Sequence, residues 1–438
     1  MTLCANAGRC GGCYYQGIPY EEQLETKEQA IRKLLDPVVR NPYLFESIIP
    51  SPLSTGYRNK MEFSFGDEMK DGPLTLGLHQ KRSFYNIINT DDCQLPHQDF
   101  CEILKATRSF FSALSVRYYH KASHTGYLRH LLIRRAIRTG EILVDLITTT
   151  QTDLLPDAEA KILSDWRDSL LSLRAGGAVA GTLAGILHTR NDALADAVID
   201  GGTETLYGEN YFYEELLGLR FRISPFSFFQ TNSLGAEKLY SKIREYADAE
   251  SLEHKGNPAA AQDSVHTAAS HAPGSAGKCK PVIYDLYSGT GTITQLMSPA
   301  ASLAVGVEIV PEAVAAAREN VRLNGISNCD FIAGDVLKVI TDGGQLVRED
   351  GSIEDAPRPD LIILDPPRDG IQPKALRKIM DYGVDRLIYV ACKPASLARD
   401  LIPLQNAGYR VEKVCPVDMF PQTNNCECIC LMTKTDLH

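Results

Sequence analysis

Between Pro281 and Cys392 the chain reads as a succession of short segments: PVIYDLYSG, SLAVGVEIV, PEAVAAARENVRLNG, CDFIAGDV, DLIILDPP and DRLIYVAC. The third has helical spacing, and the others have the length and β-branched content of strands. YRVEKVCPV and CECICLMTK add two more strands near the C-terminus. Strand–helix alternation sustained over this length admits few folds. It predicts an α/β domain with a mostly parallel sheet and helices on both faces. Ligands of such sheets bind beyond the carboxyl ends of the strands, so those ends are where chemistry is expected.

Four acidic residues stand there. DLYSGTG (Asp285 to Gly291) closes the first strand with a glycine turn. Gly289 and Gly291 would let backbone approach a ligand without a Cβ clash. Glu308 ends the second strand, the place of a ribose-diol acceptor. Asp335 ends the third, where an adenine edge would lie, and Asp365 ends the fourth in LDPPR. Taken singly, each carboxylate is a helix cap or a surface charge. Their ordered recurrence favours a nucleoside-bearing ligand. NAD is the rival, but the turn lacks the third, helix-packing glycine of the dinucleotide fingerprint. The added DPP is typical of methyltransferases that use S-adenosylmethionine.

YVACKPASLARD (Tyr389 to Asp400) ends an apolar strand in Cys392, followed by Lys393 and Pro394. Proline cannot extend a ladder, so Cys392 is expected at a strand end. A lone cysteine is most often a core residue, and only its context argues otherwise.

Upstream, ETKEQAIRKLLD (Glu25 to Asp36) reads as a helix, and from about Tyr57 to Ile147 the pattern turns to strands, with a hairpin at Thr139–Gly140. GGAVAGTLAGILHTR and LYGENYFYEELLGLRFRISP continue an α+β region. Residues 254–280 are rich in Ala, Ser, Gly, Pro and His without a period, which reads as a disordered insertion. The expected division is 1–95 (cysteine-bearing segment and the start of a central domain), 96–220 (the central α+β domain) and 221–438 (the α/β domain).

The 438 residues carry a net charge of −10, which opposes bulk attraction to nucleic acid. Basic segments remain in YRNK, HQKR (His79 to Arg82) and Arg134–Arg135. No run approaches a membrane span and no signal peptide is evident, so a cytoplasmic protein is expected. In a reducing compartment, 12 cysteines point to metal ligands, catalysis or burial.

FFQTN (Phe228 to Asn232), DLYSGTG, LDPPRDG (Leu364 to Gly370), YVACKPASLARDL and DMFPQTNNCE (Asp418 to Glu427) occur in this order. With them the C-terminal half resembles the RNA uracil-5-methyltransferase family. The resemblance implies a Rossmann-like methyltransferase domain that uses S-adenosylmethionine, preceded by an RNA-binding domain. It makes Gln230, Tyr287, Glu308 and Asp365 cofactor-contacting positions, with Gly289 and Asp335 beside them. It makes Cys392 the nucleophile, Glu427 the general base and Arg368 a candidate organiser of the site. Two positions depart from the family pattern. Asn425 stands where many relatives have His, and Lys393 where Asn is common.

The chemistry suits these residue types. A thiolate adding to C6 of uracil makes C5 enolate-like, so C5 can take a methyl group. A base must then remove the C5 proton before the thiolate leaves. Cys392 is therefore expected to ionise near neutral pH with help from Lys393 or Arg368. The apolar setting of Glu427 would raise its pKa.

Cys4, Cys10 and Cys13 follow C-x5-C-x2-C, and Cys93 is the candidate fourth ligand. Three plus one fits a [4Fe-4S] cluster, with zinc as the alternative. The iron–sulfur members of the family are similar in this pattern. By resemblance the four cysteines hold a structural cluster, and the substrate is 23S ribosomal RNA, whose uridine must leave its stack. A branch lacking the N-terminal TRAM barrel is expected, since three residues precede Cys4. No obligate protein partner is expected. The transfer RNA T-loop is the alternative substrate. An amino-methyltransferase using DPP and a non-catalytic iron–sulfur RNA-binding protein are the other classes.

Overall fold

The computed structural model describes residues 3–195, 198, 200–248, 280–339, 345–355 and 357–435. The insertion expected at 254–280 lies, Lys280 aside, outside them. Two large sheets organise the described chain. The C-terminal one has eight strands, in the spatial order Leu44–Phe45, Tyr409–Val417, Glu427–Lys434, Arg386–Ala391, Leu361–Leu364, Val282–Leu286, Leu303–Glu308 and Cys329–Ala333. The last five pair in parallel with one another, and Glu427–Lys434 runs antiparallel to both of its neighbours.

Successive side chains of a strand face opposite sides, and both sides of this sheet are buried. Tyr284, Leu286, Ile362, Leu364, Leu387 and Tyr389 join one core with helices Pro373–Tyr382 and Pro394–Asn406. Ile283, Leu361, Ile363, Ile388 and Val390 join the other core with helix Ser233–Ala247. This double burial is why these strands read as unbroken apolar runs.

The seven-stranded sheet has the order Ile87–Asn89, Thr75–His79, Lys60–Gly66, Leu128–Arg135, Glu141–Thr148, Thr182–Arg190 and Thr203–Gly208. Only Glu141–Thr148 and Thr182–Arg190 pair in parallel, joined by the crossover helix Glu159–Ala175. The hairpin at Thr139–Gly140 is present, with Gly140 at φ 71°. One expectation needs correction. Helix Gln98–Ala113 interrupts the region read as strands, and it buries Phe100, Ile103, Leu104, Thr107 and Phe111 at helical spacing.

The N-terminal segment crosses to the C-terminal sheet. Helix Tyr20–Leu35 packs on Pro394–Asn406, and Leu44–Phe45 extends the eight-stranded sheet. Among the described residues no helix is long and apolar enough to cross a membrane.

Candidate active site at the carboxyl edge of the parallel sheet

The sheet register determines what meets at this edge. Ala391 pairs with Cys428 across an antiparallel ladder. Cys392, one residue beyond the first strand, therefore faces Glu427, the first residue of the second. Leu364 pairs in parallel with both Leu286 and Tyr389, so Asp365 and Tyr287 emerge at the same edge. Lys393 is the N-cap of helix Pro394–Asn406, whose positive end begins two residues after Cys392 and favours a thiolate there.

Glu427 is only 3% exposed. Burial pushes its carboxyl up to about 8; Asp365 raises it further and Arg368 opposes. Burial, then Asp285, pushes Asp365 up to about 7. Cys392 departs from expectation. Burial, then Glu427 and Asp365, push its thiol up to about 11, against the pull of Arg368. The reason is that two carboxyls stand beside the sulfur, and low-dielectric surroundings penalise a third negative charge. Of the two cations expected to help, Arg368 acts on the thiol, and its Nη2 donates to Oδ1 of Asn425 at 3.1 Å. The two unusual residues Asn425 and Lys393 thus have distinct places, one holding Arg368 and the other opening a helix.

The glycine turn lies alongside. Gly289 has φ 54° and a Cβ there would meet nothing within 4 Å, whereas one on Gly291 would strike Phe331 at 2.5 Å. Gly289 thus leaves room for a ligand, and Gly291 is required by packing. Tyr287 adopts φ 76°, a strained conformation for a non-glycine residue. The Val307 carbonyl holds it there by accepting from the N–H groups of Tyr287 and Ser288 at 2.9 and 3.0 Å. Glu308 accepts from Gly289 N–H at 3.0 Å, and Asp335 accepts from Leu337 N–H at 2.9 Å at the start of a short helix. Asp335 also lies close enough to Tyr287 to raise its phenol, after burial itself. Buried Tyr240 hydrogen-bonds the Gln230 side chain and feels Asp365, Glu427 and Asp285, which brings Gln230 into the same group. Asp285 accepts from Thr294 Oγ1 at 2.6 Å, while its Oδ1 and the Ser288 hydroxyl are buried without a partner among the described residues. An open glycine, unpaired buried polar atoms and acids at strand ends fit a nucleoside-bearing methyl donor.

Sequence reasoning missed how this edge is held. The loop from Asp418 into Glu427 is clamped by the N-terminal segment. Lys27 Nζ donates to Asp418 Oδ1 at 2.7 Å, fully buried, and Tyr20 Oη donates to Oδ2 at 2.9 Å. Tyr14 and Tyr15 N–H both donate to the Gln422 carbonyl, at 2.6 and 3.0 Å. The available signal was spacing, since Gln23, Lys27, Ile31 and Leu35 form one buried stripe four residues apart. Phe228 is read from sequence only as the start of FFQTN, with no role of its own. It is 66% exposed, and its carbonyl accepts from Thr290 of the glycine turn.

Cys4, Cys10, Cys13 and Cys93 line one cavity. Gly12 N–H donates to the Cys10 sulfur at 3.3 Å, and Gln16 Nε2 approaches that of Cys13 at 3.8 Å. Burial pushes the Cys13 and Cys93 thiols up to about 11 and 12. Among the described residues no three His, Cys, Asp or Glu close on a single metal ion.

The family model described as tRNA (Uracil-5-)-methyltransferase matches residues 264–435. An uncharacterised RNA methyltransferase of Caldanaerobacter subterraneus is 41% identical over 432 residues, 99% of this chain and 84% of that protein. One from Clostridium acetobutylicum is 42% identical over 431 residues, 98% of this chain and 83% of that protein. The crystal structure of Pyrococcus abyssi tRNA (uracil-54, C5)-methyltransferase with S-adenosyl-L-homocysteine superposes with a TM-score of 0.69 at 23% identity. It covers 97% of this chain and 86% of that one, a likeness of fold. The matched family region contains the glycine turn, Asp365, Cys392 and Glu427, and the chain belongs to the RNA (uracil-5-)-methyltransferase family.

Proposed function

We propose that this protein methylates C5 of a uridine in 23S ribosomal RNA, with S-adenosylmethionine as the donor. The observation that carries the chemistry is the register that sets Cys392 against Glu427 beside the open glycine turn. The donor supplies an electrophilic methyl group. Gly289, Tyr287, Gln230, Glu308, Asp335 and Asp365 are the residues proposed to hold it at the strand ends.

Cys392 adds to C6, forming a C–S bond and pushing the C5–C6 electron pair toward O4. C5 forms a bond to the methyl carbon as the donor's S–CH3 bond breaks, leaving S-adenosylhomocysteine, and C5 then carries both methyl and hydrogen. Glu427 removes that hydrogen as a proton, the double bond returns and the C–S bond breaks. The free enzyme rests with a protonated thiol. Arg368 and the helix N-terminus favour its ionisation, and the neighbouring carboxyls resist it. A carboxyl lifted to about 8 is a stronger base than an ordinary glutamate once its proton is lost.

The cavity that Cys4, Cys10, Cys13 and Cys93 share is the proposed seat of a [4Fe-4S] cluster. The cluster would brace the segment that holds the Gln422 carbonyl. The resemblance of this cysteine set to the iron–sulfur branch supports ribosomal over transfer RNA. Anaerobically prepared protein should be brown, and colourless, zinc-loaded protein would contradict the cluster.

The test of function is transfer of labelled methyl from the donor to 23S and transfer RNA transcripts, followed by nucleoside analysis. The expected product is 5-methyluridine from the ribosomal transcript. Labelled 5-methyluridine from transfer RNA alone would move the substrate to the T-loop. An N-methylated base as the only product would favour the amino-methyltransferase reading.

A further inference from the structure

The HQKR segment, basic but unexplained by the catalytic edge, sits at the tip of the hairpin between Thr75–His79 and Ile87–Asn89. Two aromatic rings follow it and a third approaches from the cysteine segment. Phe84, Tyr85 and Tyr14 are 64%, 59% and 63% exposed. Single exposed rings are ordinary on a surface, but rings grouped at one tip are the kind of feature that marks an interaction site. Cations accompany them. Lys121 Nζ lies 4.8 Å from the Phe84 ring centre and Lys81 Nζ lies 5.6 Å from that of Tyr14. Phe84 and Tyr85 meet edge to face with centres 5.4 Å apart, and His79 stacks behind Phe84 at 6.4 Å.

The tip is built rather than loose. Gln80 N–H donates to the Asn86 carbonyl at 2.9 Å, and Ser83 N–H to that of Gln80 at 3.0 Å. Gly11 N–H donates to the His79 carbonyl at 3.1 Å and Lys81 N–H to that of Arg9 at 2.7 Å, locking the cysteine segment to the hairpin. Tyr14 reaches the catalytic edge through its own N–H on Gln422. The nearby acid Glu68 is paired with Arg9.

We infer that Tyr14, Phe84 and Tyr85, with Lys81, Arg82 and Lys121, form a stacking platform for unpaired RNA bases flanking the target uridine. Exposed rings provide π-faces that any base can use, and the cations meet the backbone phosphates between them. The inference rests on RNA being the substrate. It explains how a chain of net charge −10 can hold RNA, with a short local platform in place of a broad basic field.

The test compares wild type with Phe84→Ala/Tyr85→Ala and Tyr14→Ala. The readouts are anisotropy of a fluorescein-labelled 12-nucleotide oligouridylate and steady-state methylation of the wild-type substrate transcript. The rings are exposed, so melting temperature and donor binding should not move. Affinity for the oligouridylate should fall about tenfold or more in the double variant. KM for the transcript should rise by a similar factor with kcat unchanged, while binding of a 12-base-pair RNA duplex stays as in wild type. Lys81→Ala/Arg82→Ala should flatten the salt dependence. Unchanged oligouridylate affinity and KM in the ring variants, with wild type active, would overturn the platform alone. A wild type that neither binds nor methylates RNA would overturn the platform together with the reading beneath it.

Discussion

The two sheets solve the same problem in opposite ways. Both bury charged groups, yet around the seven-stranded sheet backbone and side chains bond two of them, Arg134 and Asp99, several times over. Arg134 is fully buried and its Nη1 donates to the carbonyls of Ser224, Pro225 and Ser227 at 2.7, 3.1 and 2.8 Å. Asp99 accepts from Arg135 and from the N–H groups of Ala180 and Gly181, and although burial opposes it, these bonds hold its carboxyl below the usual range. At the carboxyl edge of the eight-stranded sheet, burial pushes up Asp285, Asp365, Glu427 and Cys392; Glu308 adds to it at Asp285, Asp285 at Asp365, Asp365 at Glu427, and both Glu427 and Asp365 at Cys392. Asp145, pushed up to about 7 by burial, is an exception in the scaffold sheet, though Thr189 donates to it at 2.8 Å. Where charge is satisfied the molecule is a scaffold. Where buried acids are grouped so that each raises the next, the molecule is ready for a reactant.

The largest expected effect sharpens that contrast. Cys392→Ala should lower methyl transfer by about 10⁴-fold or more while donor binding, followed by calorimetry, persists. Turnover near wild type would remove Cys392 from the mechanism. Next, Arg134→Met should destabilise the protein by about 3–5 kcal/mol in urea unfolding, since a fully buried cation is removed and three carbonyls, that of buried Pro225 among them, lose their donor. Its loss should also loosen the approach to Gln230. A change under about 1 kcal/mol would mean that the scaffold side is not held by these bonds.

Glu427→Gln should have the opposite sign for stability. A carboxyl raised in the folded state stabilises fully below its unfolded pKa and loses that contribution as pH rises through about 8. The amide does not titrate, so the variant should gain on the order of 2 kcal/mol over wild type at pH 8.5 and little at pH 4. Its methyl transfer should proceed while release of product RNA slows. In wild type, kcat/KM should rise from pH 6 to 8 as Glu427 loses its proton, and a flat profile would contradict its role as base. Arg368→Gln is the smallest effect, because the side chain is exposed and screened. It should displace the same rise to higher pH by a fraction of a unit.

The strands Val282–Leu286, Leu303–Glu308, Leu361–Leu364 and Arg386–Ala391 were legible because burial on both faces makes them continuous apolar runs. Their ends were legible with them, since topology puts every carboxyl end on one edge. The charge state of Cys392 was not. Its sequence neighbour Lys393 suggested a depressed pKa, and only the fold reveals Asp365 and Glu427 beside the thiol. Lys27 and Asp418 lie 391 positions apart, and nothing in either local sequence marks them as partners. Helix Gln98–Ala113 carried a readable period that the surrounding strand-like composition obscured.

One measurement tests the central claim most directly, that Cys392 adds to C6 of a uridine and Glu427 then removes the proton from C5. A substrate transcript carrying 5-fluorouridine is incubated with the protein and S-adenosylmethionine, and the mixture is resolved under denaturing conditions. Fluorine in place of the C5 hydrogen leaves Glu427 no proton to remove. The expected result is a covalent protein–RNA band that requires both the donor and Cys392. Complete turnover without a band, or a band that survives Cys392→Ala, would contradict the account.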